Sequence, residues 1–276
     1  MWGKGKTCEA PGGFMYYRRS GAGPGLVLLH GLGGGSGYWE VLVRALLGIR
    51  TCLAPDLLGF GQSARPDLAY TSEAHVAALR AVIADAALAP PFDLIGHSAG
   101  GVLAIDLARA LPGQVRSLAL ICAPYPKAAA TTPRQLWPRR AAPPGSPLAR
   151  RAQRRMAIAS WLWRRLVTVY PPRGYPRAAV WNYLSYCLWA YLDTASRVLN
   201  GRDMARDTAA LRELPVLLLY GTQDRQVPPS AAHQYQALFP RSMVRYLPAG
   251  HQLLIERHTS AAVVVAIREW LDRPGE

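Results

Sequence analysis

The pentapeptide Gly96-His97-Ser98-Ala99-Gly100 sets a serine hydroxyl between two glycines. It joins an apolar run, Phe92-Asp93-Leu94-Ile95, to an Ala/Leu-rich run of helical character over residues 101–110. A Gly-x-Ser-x-Gly turn between strand and helix must fold back sharply, which strains the serine backbone. A side chain at either glycine would collide with the neighbouring strand or helix. The strain lifts the hydroxyl clear of the sheet, and the helix aims its N-terminal amides at any oxyanion formed there. The chemistry available to such a serine is nucleophilic attack on a carbonyl through a covalent intermediate. Taken alone the pattern also describes an ordinary glycine-rich turn, so its context decides.

Three further segments supply that context. Leu26-Val27-Leu28-Leu29 is an apolar strand that breaks into His30-Gly31-Leu32-Gly33-Gly34-Gly35, a loop able to present a backbone N–H, that of Leu32, toward Ser98. Val216-Leu217-Leu218-Leu219-Tyr220 is a second buried strand, and its loop carries Asp224. Met243-Val244-Arg245-Tyr246-Leu247 is a short strand whose loop carries His251. Nucleophile, acid and base thus follow in the order Ser, Asp, His, each just beyond the C-terminal end of an expected strand. In open α/β sheets that end is where sites are built.

With these residues in view, the chain resembles the α/β-hydrolase superfamily over almost its whole length, in the manner of a capped serine esterase or lipase. Pro55-Asp56-Leu57-Leu58-Gly59-Phe60-Gly61-Gln62-Ser63 is similar to that family's loop after the fourth strand, and Gly221 to Pro228 repeats a G-x-x-D-x-x-V-P pattern around the acid. The resemblance implies a mostly parallel eight-stranded sheet flanked by helices, with a helical cap inserted after strand 6. It implies Ser98 as nucleophile, His251 as general base and acid, and Asp224 as its orienting partner. It also implies an oxyanion hole from the backbone N–H groups of Leu32 and Ala99. Some members carry the acid just past the sixth strand instead. Here that would be just past Cys122, where no carboxylate stands, and Glu256 is expected on the next helix.

The elements needed to position these groups are legible in the pattern. Strands are expected at 15–19 (the opening strand), 26–29, 50–54, around 92–95, at 117–122, from about 215 and at 243–247. Helices are expected at 38–47, about 73–88 (capped by Thr71 or Ser72), 101–110 and about 261–271. This alternation argues for an α/β sheet covered on both faces. A chain of 276 residues, half of them hydrophobic, can bury one large core. The core is expected at 1–123 and 210–276, and the cap at 124–209. No run of 18 apolar residues suggests a membrane span, and the first residues lack an apolar signal core, so a cytoplasmic location is expected. Cys8, Cys52, Cys122 and Cys187 lack metal-ligand spacing, and Cys52 and Cys122 read as small core hydrophobes. No metal site or cofactor motif is visible.

The insertion is unusual in charge. From Leu107 through Leu192 there is no Asp or Glu but fourteen Lys and Arg, so this stretch supplies +14 of the formal +15 net charge. Composition explains part of it, since 29 of 32 basic residues are Arg, as in a GC-rich genome. Bias does not explain the missing acids. An electrostatic surface for an anionic partner does: an acyl carrier protein, a coenzyme A thioester, an anionic lipid surface or a carboxylate-bearing substrate. Trp161, Leu162 and Leu166 among arginines suit either a cap helix closing over an apolar pocket or a helix lying peripherally on a membrane. No recognition motif for nucleic acid accompanies the charge.

Tyr38, Trp39 and Trp161 are candidate pocket residues with His30, which is also placed to brace the oxyanion loop. His97 is expected to pack beside the turn, and His75, His233 and His258 at the surface. A serine nucleophile disfavours the dehalogenases and epoxide hydrolases of this fold, which use Asp at that place. It suits hydrolysis of a carboxylic ester or thioester through an acyl-enzyme. Two alternatives share the machinery, a carbon–carbon bond hydrolase and an esterase or thioesterase acting on a carrier-bound acyl chain. A hydrolase-fold binding protein with little turnover is a third.

Overall fold

A computed structural model describes residues 2–126, 151, 165, 187–256 and 258–273. Eight strands form one sheet: β1 (Gly5–Ala10), β2 (Gly13–Ser20), β3 (Gly25–Leu29), β4 (Thr51–Pro55), β5 (Phe92–His97), β6 (Val115–Ile121), β7 (Val216–Gly221) and β8 (Ser242–Leu247). Their spatial order is β1-β2-β4-β3-β5-β6-β7-β8. β1 and β2, and β2 and β4, pair antiparallel; every other pair is parallel. The expected opening strand is therefore the second. β1 escaped notice because it is an edge strand with Cys8 as its buried residue.

The central strands β3, β4, β5 and β7 are buried at every position because both faces are covered. Along β6, Leu118 and Leu120 enter one core and Ala119 and Ile121 the other; β7 alternates likewise. Helices α2 (Ser72–Asp85), α3 (Ala99–Ala110), α4 (Leu188–Val198) and α6 (Ala231–Leu238) contribute to the first core. Helices α1 (Glu40–Leu46) and α7 (Ser260–Leu271) close the second. Thr71 caps α2, its hydroxyl accepting the Ala74 N–H at 3.2 Å. A short 3-10 turn, Ser36–Trp39, leads into α1.

Of the expected cap, α4 and the short α5 (Met204–Thr208) are described. Residues 127–150, 152–164 and 166–186, Trp161 among them, lie outside the described residues. The returning limb is tied firmly to the core. Asp193 accepts the Tyr70 N–H at 2.8 Å, and Arg202, nearly buried, pairs with Asp106 of α3 and Asp207 of α5. His75, expected at the surface, is fully buried on α2, with Nε2 3.0 Å from the Thr194 hydroxyl of α4. Its helical spacing with Leu79 and Val82 was the signal for that burial. His233 and His258 are exposed. Among the described residues no helix is long and apolar enough to cross a membrane.

Candidate active site

β5 ends at His97, and Ser98 follows at φ 53°, ψ −126°, as the N-cap of α3. A non-glycine residue in that region is strained and persists only where its surroundings hold it. Here the Ser98 N–H donates to the Ile121 carbonyl at 2.8 Å, and the Ser98 carbonyl accepts from Gly101 at 2.8 Å. The flanking glycines allow the reversal. A Cβ on Gly96 would lie 2.3 Å from the Gly100 carbonyl oxygen, and one on Gly100 would lie 2.3 Å from that of Leu29. Gly96→Ala is therefore expected to destabilise the protein by about 3 kcal/mol. Urea denaturation checks this, and an unchanged midpoint would contradict it.

β7 and β8 bring the other two groups together. His251 donates from Nδ1 to Oδ2 of Asp224 at 2.7 Å, and both side chains are nearly buried. Asp224 Oδ1 accepts the N–H groups of Gln226 and Val227 at 2.8 and 2.9 Å. Burial pushes the Asp224 carboxyl up, but the His251 hydrogen bond and the two amides outweigh it and hold the group below the ordinary carboxylate range. With Nδ1 as donor, a neutral His251 ring presents Nε2 as an acceptor. Ser98 and His251 share the wall of a cavity of about 220 Å³.

Leu32 lines the same cavity, and Ala99 is the first residue of α3, where amides have no partner within the helix. Tyr38 lines it too, whereas His30 and Trp39 do not; both are fully buried behind it. His30 instead braces the loop, donating from Nδ1 to the Gly31 carbonyl at 2.8 Å and accepting the Leu57 N–H on Nε2 at 2.9 Å. Asp56 secures the same loop by accepting the Ser36 N–H.

Several lining residues lay beyond sequence reasoning. Tyr191 and Leu199 arrive from α4 and its end, and Gln226, Val227, Gln252 and Ile255 from the loops carrying acid and base. No local pattern marks them. His97 does more than pack beside the turn: its Nε2–H donates to the His251 carbonyl at 2.9 Å, and its ring stacks on Tyr38 with centroids 4.6 Å apart. Burial pushes this imidazole down to about 3, so it stays neutral. Glu256, expected on the next helix, sits in a turn before α7 begins at Ser260.

Among the described residues, one group of three potential metal ligands gathers: Cys122, Asp224 and His251, with donor atoms within 4.8 Å of one another. His251 Nδ1 and Asp224 Oδ2 already share a proton, and burial keeps the Cys122 thiol protonated. This donor set suits the handling of a proton.

The alpha/beta hydrolase fold family profile matches residues 24–258. The chain belongs to that family. Among curated relatives, a "putative carbamate hydrolase RutD" of Azorhizobium caulinodans is 36% identical over 107 residues, covering 39% of this chain and 40% of that protein. A haloalkane dehalogenase of Bradyrhizobium diazoefficiens is 38% identical over 112 residues, covering 40% of this chain and 36% of that one. The match thus spans well under two thirds of either relative. Among solved structures, the bromoperoxidase of Bacillus anthracis superposes with a TM-score of 0.73 at 18% identity, covering 98% of this α/β-hydrolase chain and 100% of that one. That likeness concerns the fold.

Proposed function

We propose that this α/β-hydrolase cleaves a carboxylic ester by a Ser-His-Asp triad through an acyl-enzyme. The observation that carries the reading is the strained Ser98 on the wall of a cavity it shares with His251, whose other nitrogen is committed to Asp224. In the proposed mechanism His251 Nε2 takes the Ser98 proton as the hydroxyl oxygen bonds to the carbonyl carbon. The electron pair moves onto the carbonyl oxygen, which the Leu32 and Ala99 amides receive. Losing one such donor costs about 2.7–4 kcal/mol in the transition state. Collapse expels the alcohol, which takes the proton from His251. A water then gives its proton to His251 and attacks the acyl carbon; collapse breaks the bond to Ser98 Oγ, which takes that proton back from His251, and releases the acid. Asp224 holds the ring in the competent tautomer and stabilises the imidazolium.

A neutral acyl group fits this cavity better than a carboxylate-bearing one. Among its described lining residues there is no Asp, Glu, Lys or Arg, which weighs against hydrolysis of a dienone acid at a carbon–carbon bond. The basic excess of residues 107–192 favours a second reading, a thioester delivered by an acidic acyl carrier or coenzyme A to a cap at 124–209. An anionic lipid surface would meet the same charge.

The test is hydrolysis of p-nitrophenyl esters from acetyl to palmitoyl, with fluorophosphonate labelling read by intact mass. The expected result is labelling at Ser98 and an optimum at short acyl chains, because about 220 Å³ falls below the ~300–1,000 Å³ usual for ligand pockets. Labelling without ester turnover would favour the carrier-bound reading. Neither labelling nor turnover would overturn the proposal.

A further inference from the structure

Cys122 follows β6 directly, and side chains on a strand alternate between faces. Ile121 belongs to the core closed by α1 and α7, so an extended Cys122 would turn to the opposite core. It does not: Cys122 joins the same core as Ile121. The cause is its backbone, which at φ +46° lies in the left-handed region that non-glycine residues rarely occupy. Nothing lets the segment relax. The Cys122 N–H donates to the Leu219 carbonyl at 2.9 Å, while the Tyr220 and Tyr235 hydroxyls donate to the Ala123 and Pro124 carbonyls at 2.7 and 2.8 Å.

The reversal delivers the thiol to Asp224. Its sulfur lies within 4.8 Å of the donor atoms of both Asp224 and His251, and it is fully buried. A strained backbone is kept where the surroundings over-determine it, and such positions cluster at functional sites. Resting on the triad reading above, we infer that Cys122 is a positioning residue for that triad, its S–H donating to the Asp224 carboxylate and fixing the rotamer that receives His251. The two loop amides hold one carboxylate oxygen from the side of residues 226 and 227; the thiol holds the group from the sheet. A buried thiol beside a carboxylate stays protonated, so the donor persists across the working pH range.

Three variants test this. Cys122→Ala removes the donor with little change in volume and is expected to lower kcat on p-nitrophenyl butyrate about three- to tenfold, with KM unchanged. Cys122→Ser keeps a donor and is expected to retain most of the wild-type kcat, even where its melting temperature falls. In an Asp224→Asn background Cys122→Ala is expected to add no further loss, because the group it positions is already gone. A residue that merely fills space would give the opposite pattern: equal losses for Ala and Ser, tracking stability, and additive loss in the double variant. Either that pattern or wild-type kcat in Cys122→Ala would overturn the inference. The rate of Ser98 phosphonylation by a fluorophosphonate is measured alongside. It reads the activated serine without any particular substrate, so a wrong choice of ester cannot pass for a silent Cys122.

Discussion

On the proposed mechanism, Ser98→Ala is expected to lower kcat/KM for ester hydrolysis by about four orders of magnitude or more, and Asp224→Asn by about 10⁴-fold while the protein stays folded. The two losses have different origins. Alanine removes the atom that would form the acyl-enzyme, so what would remain is binding and whatever the proposed oxyanion amides contribute to attack by water. Asparagine keeps the volume and can keep the contact with Nδ1. Its amide, however, can donate there, and a ring that accepts on Nδ1 carries its proton on Nε2 and cannot accept the serine proton. The Gln226 and Val227 amides that hold Asp224 are main-chain groups, so the loop survives the substitution. Steady-state kinetics with active-site titration checks both. Residual activity above about one hundredth of wild type in Ser98→Ala would remove the covalent mechanism.

The second large effect is a loss of stability in mild acid. His75 and His97 are fully buried, and burial, reinforced by a neighbouring imidazole, pushes each down to about 3. His30 is pushed down by burial in the same way. Each ring therefore stays neutral in the folded protein but takes a proton near pH 6.5 once unfolded. The unfolded state then binds more protons, so stability is complete above about pH 6.5 and falls as the pH drops from there toward about 3. By pH 5 the cost is about 2 kcal/mol for each of His75 and His97, about 4 kcal/mol together, with His30 adding to it. Against a total of about 5–15 kcal/mol for a typical domain, that is a large share.

Urea unfolding at pH 8, 7, 6 and 5 reads the slope directly. It is expected to approach two to three protons, each about 1.4 kcal/mol per pH unit, below pH 6. His75→Gln is expected to remove one proton from that slope while keeping a polar group toward Thr194. Stability that is flat from pH 7 to pH 5 would show that these rings open to water before they charge.

The local code of this protein was legible without coordinates. A serine between glycines at a strand-to-helix junction can resolve its crowding in few ways, so the Ser98 turn could be read from five residues once the segments around Leu32, Asp224 and His251 supplied its context. The strand ending before Asp224 is a continuous apolar run because the sheet is covered on both faces there, and such a run needs no partner to be recognised; the edge strand before His251 carries Arg245 and is only partly buried. Alternation of strand and helix then fixes the fold class. What the chain could not disclose depends on pairs far apart in sequence. The edge strand Gly5–Ala10 shows one buried side chain and so carries little pattern. The spacing of His75 with Leu79 and Val82 marks its inward face, but its partner Thr194, 119 residues away, is set only by the fold. Cys122 reads as a core hydrophobe until a left-handed backbone turns it toward the loop of the next strand. Tyr191 and Leu199 reach the cavity because the returning limb is pinned by Asp193 to the Tyr70 amide and by Arg202 to Asp106. Periodicity and turn chemistry are set by neighbours within a few residues, so sequence determines them. Which distant surfaces meet is decided by the joint burial of the whole core, and that only the tertiary structure expresses.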